Sequence, residues 1–385
     1  LGCVYAGATV GSWYPITPST SLFDAFGGFC KRLRKDSDTG EHNYCIIQAE
    51  DELSAIGMAL GAAWSGARAF TATSGPGISL MSEFLGLAYF TEIPLVLFDV
   101  QRAGPSTGMP TRTQQSDILA AAFASHGDTR HVLLFPSDPA ECFEFAVTAF
   151  DLTERLQTPV IVLSDLDIGM NDWPCPSLSW DDNYQPDRGK VYSADDLSQM
   201  DTFARYLDVD GDGICYRTLP GEHPKGGYLI RGSGHNKFGG YTEKADEYQE
   251  VVDRLRRKFD TAAGLVPEPV IETAERADCA IVSLGSCDGA VREARDRLAA
   301  EGILADYMRV RAFPFSQSVI DFLTRYERVF VVEQNRDAQF CSLLQTETGL
   351  SGDKLIPVLS YGGMPVACTD IIDPMLEKIA KGKAA

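Results

Sequence analysis

Between residues 44 and 170 the chain alternates short apolar runs with longer stretches in which apolar or small residues recur every three or four positions. The apolar runs predict buried strands, and the longer stretches predict helices. Strands that alternate with helices in this way are typical of βαβ units, in which helices cover both faces of a parallel sheet. The predicted strands are 44–49, 67–74, 93–100, 130–136 and 159–166, and the predicted helices are 51–66, 77–92, 117–125 and 138–157.

The alternating pattern stops after residue 170. Residues 171–262 are rich in Asp, Gly, Pro and Tyr, and they predict an irregular segment that ends in a charged helix over 243–263. The pattern then returns, and it predicts strands at 278–286, 303–313 and 327–335 and helices at 288–302 and 316–326. We therefore expect an α/β fold with a doubly wound domain at 1–170, an irregular insertion at 171–274 and a second α/β domain at 275–385.

The sequence shows no pattern typical of secretion or of membrane insertion. Its first residues, "LGCVYAGATVG", lack a Met and a basic segment, and they predict the last turn of a helix that is entered midway. We therefore expect the numbered chain to begin inside a longer polypeptide. No run of 18 apolar residues occurs, so we expect a soluble, cytoplasmic protein without a transmembrane helix.

Charge and cysteine content exclude several classes of function. The 385 residues include 34 Lys and Arg against 54 Asp and Glu, a net charge of −20, which argues against nucleic-acid and anionic-membrane partners. The ten cysteines contain no CxxC pair, so the chain offers no iron–sulfur or zinc ligand set of the usual spacing. We expect most of them to be buried, reduced thiols.

Residues 13–20 read "WYPITPST" and combine two prolines with a run of hydroxyl groups. Each proline fixes its own φ and disfavours helix at the residue before it, so the segment predicts a stiff, extended loop. Ser19 and Thr20 stand at the N-cap position of a predicted helix. A stiff loop that enters a helix suits ligand binding, and the alternative is a purely structural turn.

The helix predicted from residue 51 begins with Glu50, Asp51 and Glu52. The positive end of the helix dipole explains the first two carboxylates. Glu52 precedes small residues that let a flat group or a second chain approach closely, which makes it a candidate acid–base or hydrogen-bonding group. The small residues are Ala55, Gly57, Ala59, Gly61 and Ala62.

Residues 99–117, "DVQRAGPSTGMPTRTQQSD", follow a predicted buried strand and contain Arg102 and Arg112 among glycines, prolines and hydroxyl residues. An arginine in such surroundings is typical of carboxylate binding. Arg102 is the preferred cation because it lies nearest the strand end. The alternative is an exposed loop with incidental arginines.

The segment "DVDGDG" at 208–213 places Asp208, Asp210 and Asp212 at the first, third and fifth positions of a calcium loop. Leu219 stands at the twelfth position, where the loop needs a Glu, so an EF-hand is rejected and a lesser Ca²⁺ or Mg²⁺ site remains as an alternative. The same Asp212, followed by Asn236, mimics the magnesium–diphosphate motif of thiamine enzymes. We reject this motif because the intervening residues are rich in glycine and proline instead of forming a helix and a buried strand.

Several motifs together resemble one family, the α subunits of 2-oxoacid:ferredoxin oxidoreductases, and most of all those of the 2-oxoglutarate type. The likeness extends over nearly the whole chain. The motifs are "YPITPST" (14–20), "AEDELSAIGMALGAAWSGARAFTATSGPG" (49–77), "QRAGPSTGMPT" (101–111), "DGDGICYRTLPG" (210–221), "GSGHNKFGGYTE" (232–243) and "VEQNRDAQ" (332–339).

The resemblance implies a fold and a set of site residues. Residues 1–170 would be the pyrimidine-binding domain of a thiamine diphosphate enzyme, truncated at its start, and 275–385 a transketolase C-terminal-like domain. Glu52 would hydrogen-bond the aminopyrimidine, and Arg102 and Thr111 would bind the 2-oxoacid. The loop residues that would contact the cofactor are Tyr14, Pro15, Ile16 and Thr17, with Thr17 at the reaction centre. If the substrate is 2-oxoglutarate, its distal carboxylate needs a second cation, for which Arg112 is the nearest candidate in the sequence and the β subunit or an upstream domain is the alternative.

The resemblance also implies a reaction and partners. A 2-oxoacid, coenzyme A and oxidised ferredoxin would give acyl-CoA, CO₂ and reduced ferredoxin, with 2-oxoglutarate giving succinyl-CoA. The reverse reaction would serve the reductive TCA cycle. A β subunit would supply Mg²⁺, a 4Fe-4S cluster and the diphosphate site, and a γ domain would be fused or separate, in a dimer of heterodimers. The alternatives are a pyruvate or broad-range enzyme, another thiamine enzyme, and a non-catalytic homologue.

Overall fold

The structure, a computed structural model, describes residues 1–383 and the side chains of residues 1–380. The strands are β1 (Val10–Trp13), β2 (Cys45–Gln48), β3 (Ala69–Thr73), β4 (Leu95–Gln101), β5 (Val132–Leu134), β6 (Pro159–Asp165), β7 (Val270–Glu272), β8 (Cys279–Leu284), β9 (Ala305–Val310), β10 (Ala312–Phe313), β11 (Val329–Glu333) and β12 (Leu355–Leu359). The helices are α1 (Gly2–Tyr5), α2 (Thr20–Leu33), α3 (Glu52–Trp64), α4 (Gly75–Thr91), α5 (Ile118–Ala122), α6 (Pro139–Leu156), α7 (Leu166–Met170), α8 (Ala194–Gln199), α9 (Ala245–Ala262), α10 (Asp288–Ala300), α11 (Gln317–Thr324), α12 (Gln339–Thr348) and α13 (Cys368–Lys383).

The first sheet has seven strands in the order β10-β5-β6-β4-β3-β1-β2. All neighbouring strands in it are parallel except β10, which runs antiparallel to β5. Every residue of β3, β4 and β5 is buried, as expected for strands that are covered on both faces. The predicted α/β class with a doubly wound sheet is confirmed.

The second sheet has five strands in the order β12-β11-β8-β9-β7. The pattern at 303–313 predicts one strand, and this prediction is wrong. The structure divides the segment into β9, which belongs to the second sheet, and β10, which pairs Ala312 with Leu134 and Phe313 with Leu133 in the first sheet. The two sheets are therefore joined by a strand exchange, and one hydrophobic core contains buried residues from both.

The insertion between the sheets is held by a buried ion cluster. Glu92 follows α4 with a left-handed backbone (φ 56°) and is 1% exposed. Its carboxylate accepts a hydrogen bond of 2.9 Å from Nη1 of Arg254 and one of 2.8 Å from Nζ of Lys258, both on α9. The desolvated charges are thus compensated, and α9 is fixed against the first sheet domain.

The loop 14–19 enters α2 differently from the expected N-cap. Ser19 occupies the cap position, but its hydroxyl donates to the carbonyl of Ile16 at 3.1 Å and caps no helical N–H group. Thr20 Oγ1 accepts a hydrogen bond of 3.1 Å from the backbone N–H of Ile16. Ser19 thus stands at the predicted N-cap position, and the two hydroxyls stabilise the loop itself instead of capping a helical N–H group.

The described residues agree with two further expectations from the sequence, the burial of most cysteines and a helical turn at the start of the chain. All ten cysteines are free thiols, and seven of them are buried. The predicted helical turn at the start of the chain is present as α1. Among the helices of residues 1–383, none combines the length and the apolar character that crossing a membrane requires.

Candidate functional site

Four neighbouring strands of the first sheet end beside one another, and their loops carry most of the predicted site residues. Strands β1, β2, β3 and β4 are parallel, so their carboxyl ends lie at the same edge of the sheet. Thr17 follows β1, Glu52 follows β2 and Arg102 follows β4. This edge is where open α/β sheets bind ligands.

Arg102 connects two of these loops. Its Nη1 donates a hydrogen bond of 2.6 Å to the carbonyl of Thr17, and its Nη2 donates one of 3.1 Å to the carbonyl of Thr107. The side chain is 7% exposed, and its Nε is buried without a hydrogen-bond partner among residues 1–383. The guanidinium is therefore held in place while part of its donor capacity remains for an anion.

The loop that carries Thr17 presents its side chains outward. Tyr14, Pro15 and Thr17 are exposed, and Ile16 is half-buried. Within residues 1–383 the Thr17 hydroxyl has no hydrogen-bond partner, so it is free to bind a ligand. The backbone beneath it is fixed by Arg102 and by the hydroxyls at the start of α2.

Glu52 lies in the first turn of α3 and is 7% exposed. Asp51 caps the helix by accepting from the backbone N–H of Ser54 at 2.7 Å, which separates the capping role from Glu52. Across residues 1–383 the Glu52 carboxylate has neither a hydrogen bond nor an ion pair. Gly77 permits the close packing beside it, since a Cβ atom there would overlap the Thr73 hydroxyl and lie 3.2 Å from Cγ of Glu52.

The small residues of α3 do not form one open face, contrary to expectation. Ala55 and Ala59 are fully buried in the core. Gly57 faces the ring of Phe84 on α4, whereas Gly61 is exposed and faces open space. The exposed side of α3 also carries apolar side chains, with Leu53 39% and Met58 43% exposed.

Thr111 and Arg112 lie at the outer end of the loop that follows Arg102. Both are exposed, and Nη1 of Arg112 donates to the Thr111 carbonyl at 2.9 Å. Neither lines the cavity that contains Arg102. The Arg112 carbonyl accepts a hydrogen bond of 2.8 Å from the N–H of Ala103, next to Arg102, but the side chains of Thr111 and Arg112 stay outside the cavity. Their substrate-binding roles remain predictions.

A cavity of about 560 Å³ lies where the carboxyl edges of the two sheets face each other. The first sheet contributes Gly75 at the start of α4, Arg102 and Asp117. The second sheet contributes the segment 335–339, in which Arg336 and Asp337 form an exposed ion pair of 2.7 Å. Motifs that are distant in the sequence thus meet around one space.

Two carboxyl side chains near the end of β4 were not singled out from the sequence. Asp99 on β4 is fully buried, and the half-buried Asp117 lies at the N-cap of α5 and lines the cavity. Burial raises the pKa of both carboxyls, and the nearby Asp117 raises that of Asp99 further, while Arg102 opposes the rise at Asp117. An Asp inside the otherwise apolar run "LVLFDVQ" is a signal that could have found the first of them.

The acidic segment at 208–213 binds a lysine. Nζ of Lys190 lies 2.6 Å from Oδ2 of Asp210 and 2.9 Å from Oδ2 of Asp212. Asp208 accepts from the backbone N–H groups of Gly211 and Gly213 at 2.8 and 2.9 Å. Nowhere in the described part of the chain do three His, Cys, Asp or Glu side chains form a group that could hold a metal ion, so the alternative site at 208–213 is not formed here.

Comparison with known proteins shows the family to which the chain belongs. The family model "pyruvate flavodoxin/ferredoxin oxidoreductase, thiamine diphosphate-binding" matches residues 1–188. A 2-oxoglutarate synthase subunit KorA of Methanothermobacter thermautotrophicus is 32% identical over 92% of this chain and 90% of its own length. The α subunit of 2-oxoacid:ferredoxin oxidoreductase 2 of Aeropyrum pernix is 35% identical over 95% of this chain and 57% of its own length.

Two solved structures have folds similar to that of this chain. The 2-oxoglutarate:ferredoxin oxidoreductase of Magnetococcus marinus superposes with a TM-score of 0.86 and 31% identity over 98% of this chain and 63% of that one. A split-gene transketolase matches with a TM-score of 0.51 and 12% identity, which shows a shared fold alone. The chain thus has the fold of thiamine diphosphate-binding α/β proteins. It belongs to the family of 2-oxoacid:ferredoxin oxidoreductase α subunits of the KorA type, so the resemblance predicted from the sequence is confirmed. The chain spans 57% of the length of the Aeropyrum relative and 60% of the length of a Sulfurisphaera tokodaii relative.

Proposed function

We propose that the chain forms the pyrimidine-binding half of the active site of a thiamine diphosphate-dependent 2-oxoacid:ferredoxin oxidoreductase. The reaction is the conversion of 2-oxoglutarate, coenzyme A and oxidised ferredoxin into succinyl-CoA, CO₂ and reduced ferredoxin. The observation that carries the proposal is the unpartnered, buried Glu52 at the same sheet edge as an Arg102 that is fixed to the Thr17 loop.

The residues present fit the pyrimidine end of thiamine diphosphate. Glu52 offers an unpartnered carboxylate on a largely buried side chain, and the hydroxyls of Thr71 and Ser74 are buried without partners among residues 1–383. Gly77 leaves room for close packing beside Glu52. When bound, the cofactor supplies the nucleophilic carbon and the electron sink that decarboxylation of a 2-oxoacid requires.

The chain's own residues bind and orient the reactants. Glu52 would hydrogen-bond the pyrimidine ring of the bound cofactor and would hold the proton that this contact requires. Arg102 donates its remaining N–H groups to the carboxylate of the 2-oxoacid, and the exposed Thr17 hydroxyl donates to the oxo group. Because Arg102 also holds the Thr17 carbonyl, the two substrate contacts keep a fixed spacing.

The relatives support 2-oxoglutarate as the substrate, ahead of pyruvate. The matched KorA proteins are named 2-oxoglutarate synthase subunits, and the Magnetococcus structure is described as holding 2-oxoglutarate, coenzyme A and succinyl-CoA. A second carboxylate needs a second cation. Arg112, together with Thr111 in the same loop, would bind it after movement of that exposed loop.

A β subunit completes the site in this proposal. The relatives are named as α subunits or KorA subunits, which supports a partner chain. This partner carries the diphosphate-binding site, Mg²⁺ and the 4Fe-4S cluster, and it covers the exposed apolar side of α3 next to Glu52. The complex is a cytoplasmic dimer of heterodimers that includes a γ domain and passes electrons to ferredoxin.

The test is to co-express the chain with a β subunit and to assay the purified complex without oxygen. We expect 2-oxoglutarate to reduce a viologen dye in a reaction that depends on coenzyme A and thiamine diphosphate, and pyruvate to do so less efficiently. Omission of each component is the control. A loaded complex that no 2-oxoacid reduces would disprove the proposal, and a preference for pyruvate would change the substrate.

A further inference from the structure

Segment 333–339 connects the second sheet to the candidate site, and the proposed reaction does not use it. It runs from the last residue of β11 to the first residue of α12 and contains most of the motif "VEQNRDAQ". The carboxylate of Glu333 is fully buried and accepts hydrogen bonds from the N–H groups of Phe340 at 2.7 Å and Cys341 at 3.0 Å. Because these N–H groups lie in the first turn of α12, Glu333 fixes the shape of the segment.

Two amide side chains of this segment bind the first sheet domain. Nδ2 of Asn335 donates a hydrogen bond of 2.9 Å to the carbonyl of Gln115. Nε2 of Gln339 donates one of 2.7 Å to the carbonyl of Ser116, and its Oε1 accepts one of 3.2 Å from the N–H of Leu119. This stretch of the first domain is therefore held by the second α/β domain.

The stretch held in this way is the returning end of the loop that follows Arg102. On one side of Arg102, Oε1 of Gln101 accepts a hydrogen bond of 3.1 Å from the N–H of Asp117. On the other side, the N–H of Ala103 donates to the carbonyl of Arg112 at 2.8 Å. Arg102 thus lies between two residues that are bonded to the returning end, so a shift of that end would move the guanidinium.

Asn335 and Gln339 line the cavity that contains Arg102, but the polar atoms of both amides are already bonded. Oδ1 of Asn335 accepts from the N–H of Gln339 at 3.1 Å, while its Nδ2 binds the first domain. Nε and Oε atoms of Gln339 are both bonded to the first domain as well. By contrast, Nε of Arg102 is buried without a partner among residues 1–383. The two amides therefore suit a supporting role, and Arg102 has the free donor.

We propose that segment 333–339 positions the Arg102 loop, with Asn335 and Gln339 as positioning residues that act on the substrate through Arg102. This inference rests on the proposed function, in which Arg102 binds the carboxylate of the 2-oxoacid. A guanidinium that is fixed before the substrate arrives loses less conformational freedom on binding. The second α/β domain thus contributes to substrate recognition through the position of a residue in the first.

The first test is a double-mutant cycle of Gln339→Ala and Arg102→Lys in the assembled complex. Gln339→Ala removes both hydrogen bonds to the first domain, so we expect kcat/KM for 2-oxoglutarate to fall by about tenfold. In the Arg102→Lys background the same change should cost less than about twofold, because the group that Gln339 positions is already lost. A loss of equal size in both backgrounds, or no loss in the parent background, would overturn the proposal.

Two further variants separate the hydrogen bonds from packing. Gln339→Met keeps the length of the side chain without its hydrogen bonds, so it should lose as much kcat/KM as Gln339→Ala. The matched control is Gln345→Ala, another half-buried glutamine of α12, whose Nε2 lies 3.5 Å from Sγ of Cys341 and which does not line the cavity. We expect it to stay within about twofold of the parent. Parent-like activity in Gln339→Met, or an equal loss in Gln345→Ala, would contradict the assignment.

A second measurement does not depend on turnover. Hydrogen exchange in the assembled complex, followed by mass spectrometry, reports how well the N–H groups of residues 101–117 are protected. We expect exchange in this stretch to be about tenfold faster in Gln339→Ala than in the parent and in Gln345→Ala. Unchanged exchange would refute the positioning role even when the complex is active. An inactive parent complex in which Gln339→Ala still accelerates exchange would instead refute the proposed function and keep the positioning of the loop.

Discussion

Nη1 of Arg102 donates a hydrogen bond of 2.6 Å to the backbone carbonyl of Thr17, which lies 85 residues earlier in the chain. The two residues follow β4 and β1, which are separated in the sheet by β3. This contact therefore fixes the cation and the hydroxyl of the candidate site relative to each other. It also explains why a flat fork of donors is needed at residue 102, since Nη2 binds the Thr107 carbonyl at the same time.

The first prediction concerns Arg102→Lys. A lysine keeps the charge but cannot bind two loop carbonyls and an anion with one planar group. Loss of a charged hydrogen-bond contact costs about 2–3 kcal/mol, so we expect kcat/KM for the 2-oxoacid to fall by about 30- to 150-fold, nearly as far as in Arg102→Ala. Steady-state kinetics of the complex test this.

The matched control is Arg336→Lys. Arg336 lines the same cavity, but it is exposed, and within the part of the chain that the structure describes its ion pair is with its neighbour Asp337. We expect little change in kcat/KM for this variant, because exposed ion pairs contribute at most about 1 kcal/mol. Equal losses in both lysine variants would show that Arg102 has no special role.

The second prediction concerns Glu52→Gln, which keeps the shape of the side chain but removes its charge and basicity. We expect turnover to fall by about 10²-fold or more, the range of lost acid–base assistance. Assembly and cofactor binding should persist, because Glu52 is one contact among many. Glu50→Gln is the control, since Glu50 is exposed one residue before the cap of α3. Turnover of Glu52→Gln within about twofold of the parent would remove it from the mechanism.

Much of the fold could be predicted because its elements are decided locally. The apolar runs that became β4 and β6 are buried on both faces, so their composition alone identifies them. Strand β1, "VGSW", was not predicted from the sequence, because Gly and Ser weaken its hydrophobic pattern and its position depends on pairing with β2 and β3. The exit of β10 from the second sheet depends on pairing with Leu133 and Leu134, for which the local sequence has no signal.

The residues of the candidate site also divide into those that the sequence predicts and those that it does not. Residues within one motif, such as Thr17 or Glu52, could be named from the sequence and from the family resemblance. Contacts between distant segments could not, and one of them changed the picture. Lys190 reaches Asp210 and Asp212 only because tertiary packing brings the segments together.

The third prediction concerns the rejected magnesium–diphosphate motif. Asp212 binds Lys190, and Oδ1 of Asn236 accepts from the N–H groups of Phe238 and Gly240 at 3.1 Å each. Both side chains thus stabilise their own loops. We expect Asp212→Ala and Asn236→Ala to leave the Mg²⁺ and thiamine diphosphate concentrations for half-maximal activity unchanged. A large rise in either concentration would revive the motif.

The fourth prediction is a pH dependence of stability at His131. This side chain is fully buried, its Nε2 lies 3.0 Å from the Ala124 carbonyl, and burial lowers its pKa to about 4. An unfolded His has a pKa of about 6.5, so between these values the unfolded chain binds the proton and the folded chain does not. Stability is therefore complete above about pH 6.5 and declines as the pH falls towards 4.

The comparison is with His131→Gln, which keeps a donor for Ala124 but does not titrate. From about pH 7 to about pH 5, the free energy of unfolding should fall by about 2 kcal/mol more in the parent than in this variant. Urea unfolding at both pH values measures the difference. His126→Gln, at a solvent-exposed position, should behave like the parent. Parallel losses in the parent and in His131→Gln would assign the acid sensitivity to other groups.

The last prediction concerns the second carboxylate of the substrate. 2-Oxoglutarate carries a distal carboxylate that pyruvate lacks, so a cation for it raises the efficiency for 2-oxoglutarate alone. Arg112 is exposed, and within the described residues its side chain donates to the adjacent Thr111 carbonyl alone, so truncating that side chain should cost little stability. We expect Arg112→Ala to lower the ratio of kcat/KM for 2-oxoglutarate to that for pyruvate by about tenfold, with the pyruvate value nearly unchanged. Competition kinetics measure this ratio, with Arg336→Ala as the control, because that arginine already pairs with Asp337. An unchanged ratio in Arg112→Ala would place the second cation on another chain, and a ratio lowered only in Arg336→Ala would move it to the cavity between the two sheets.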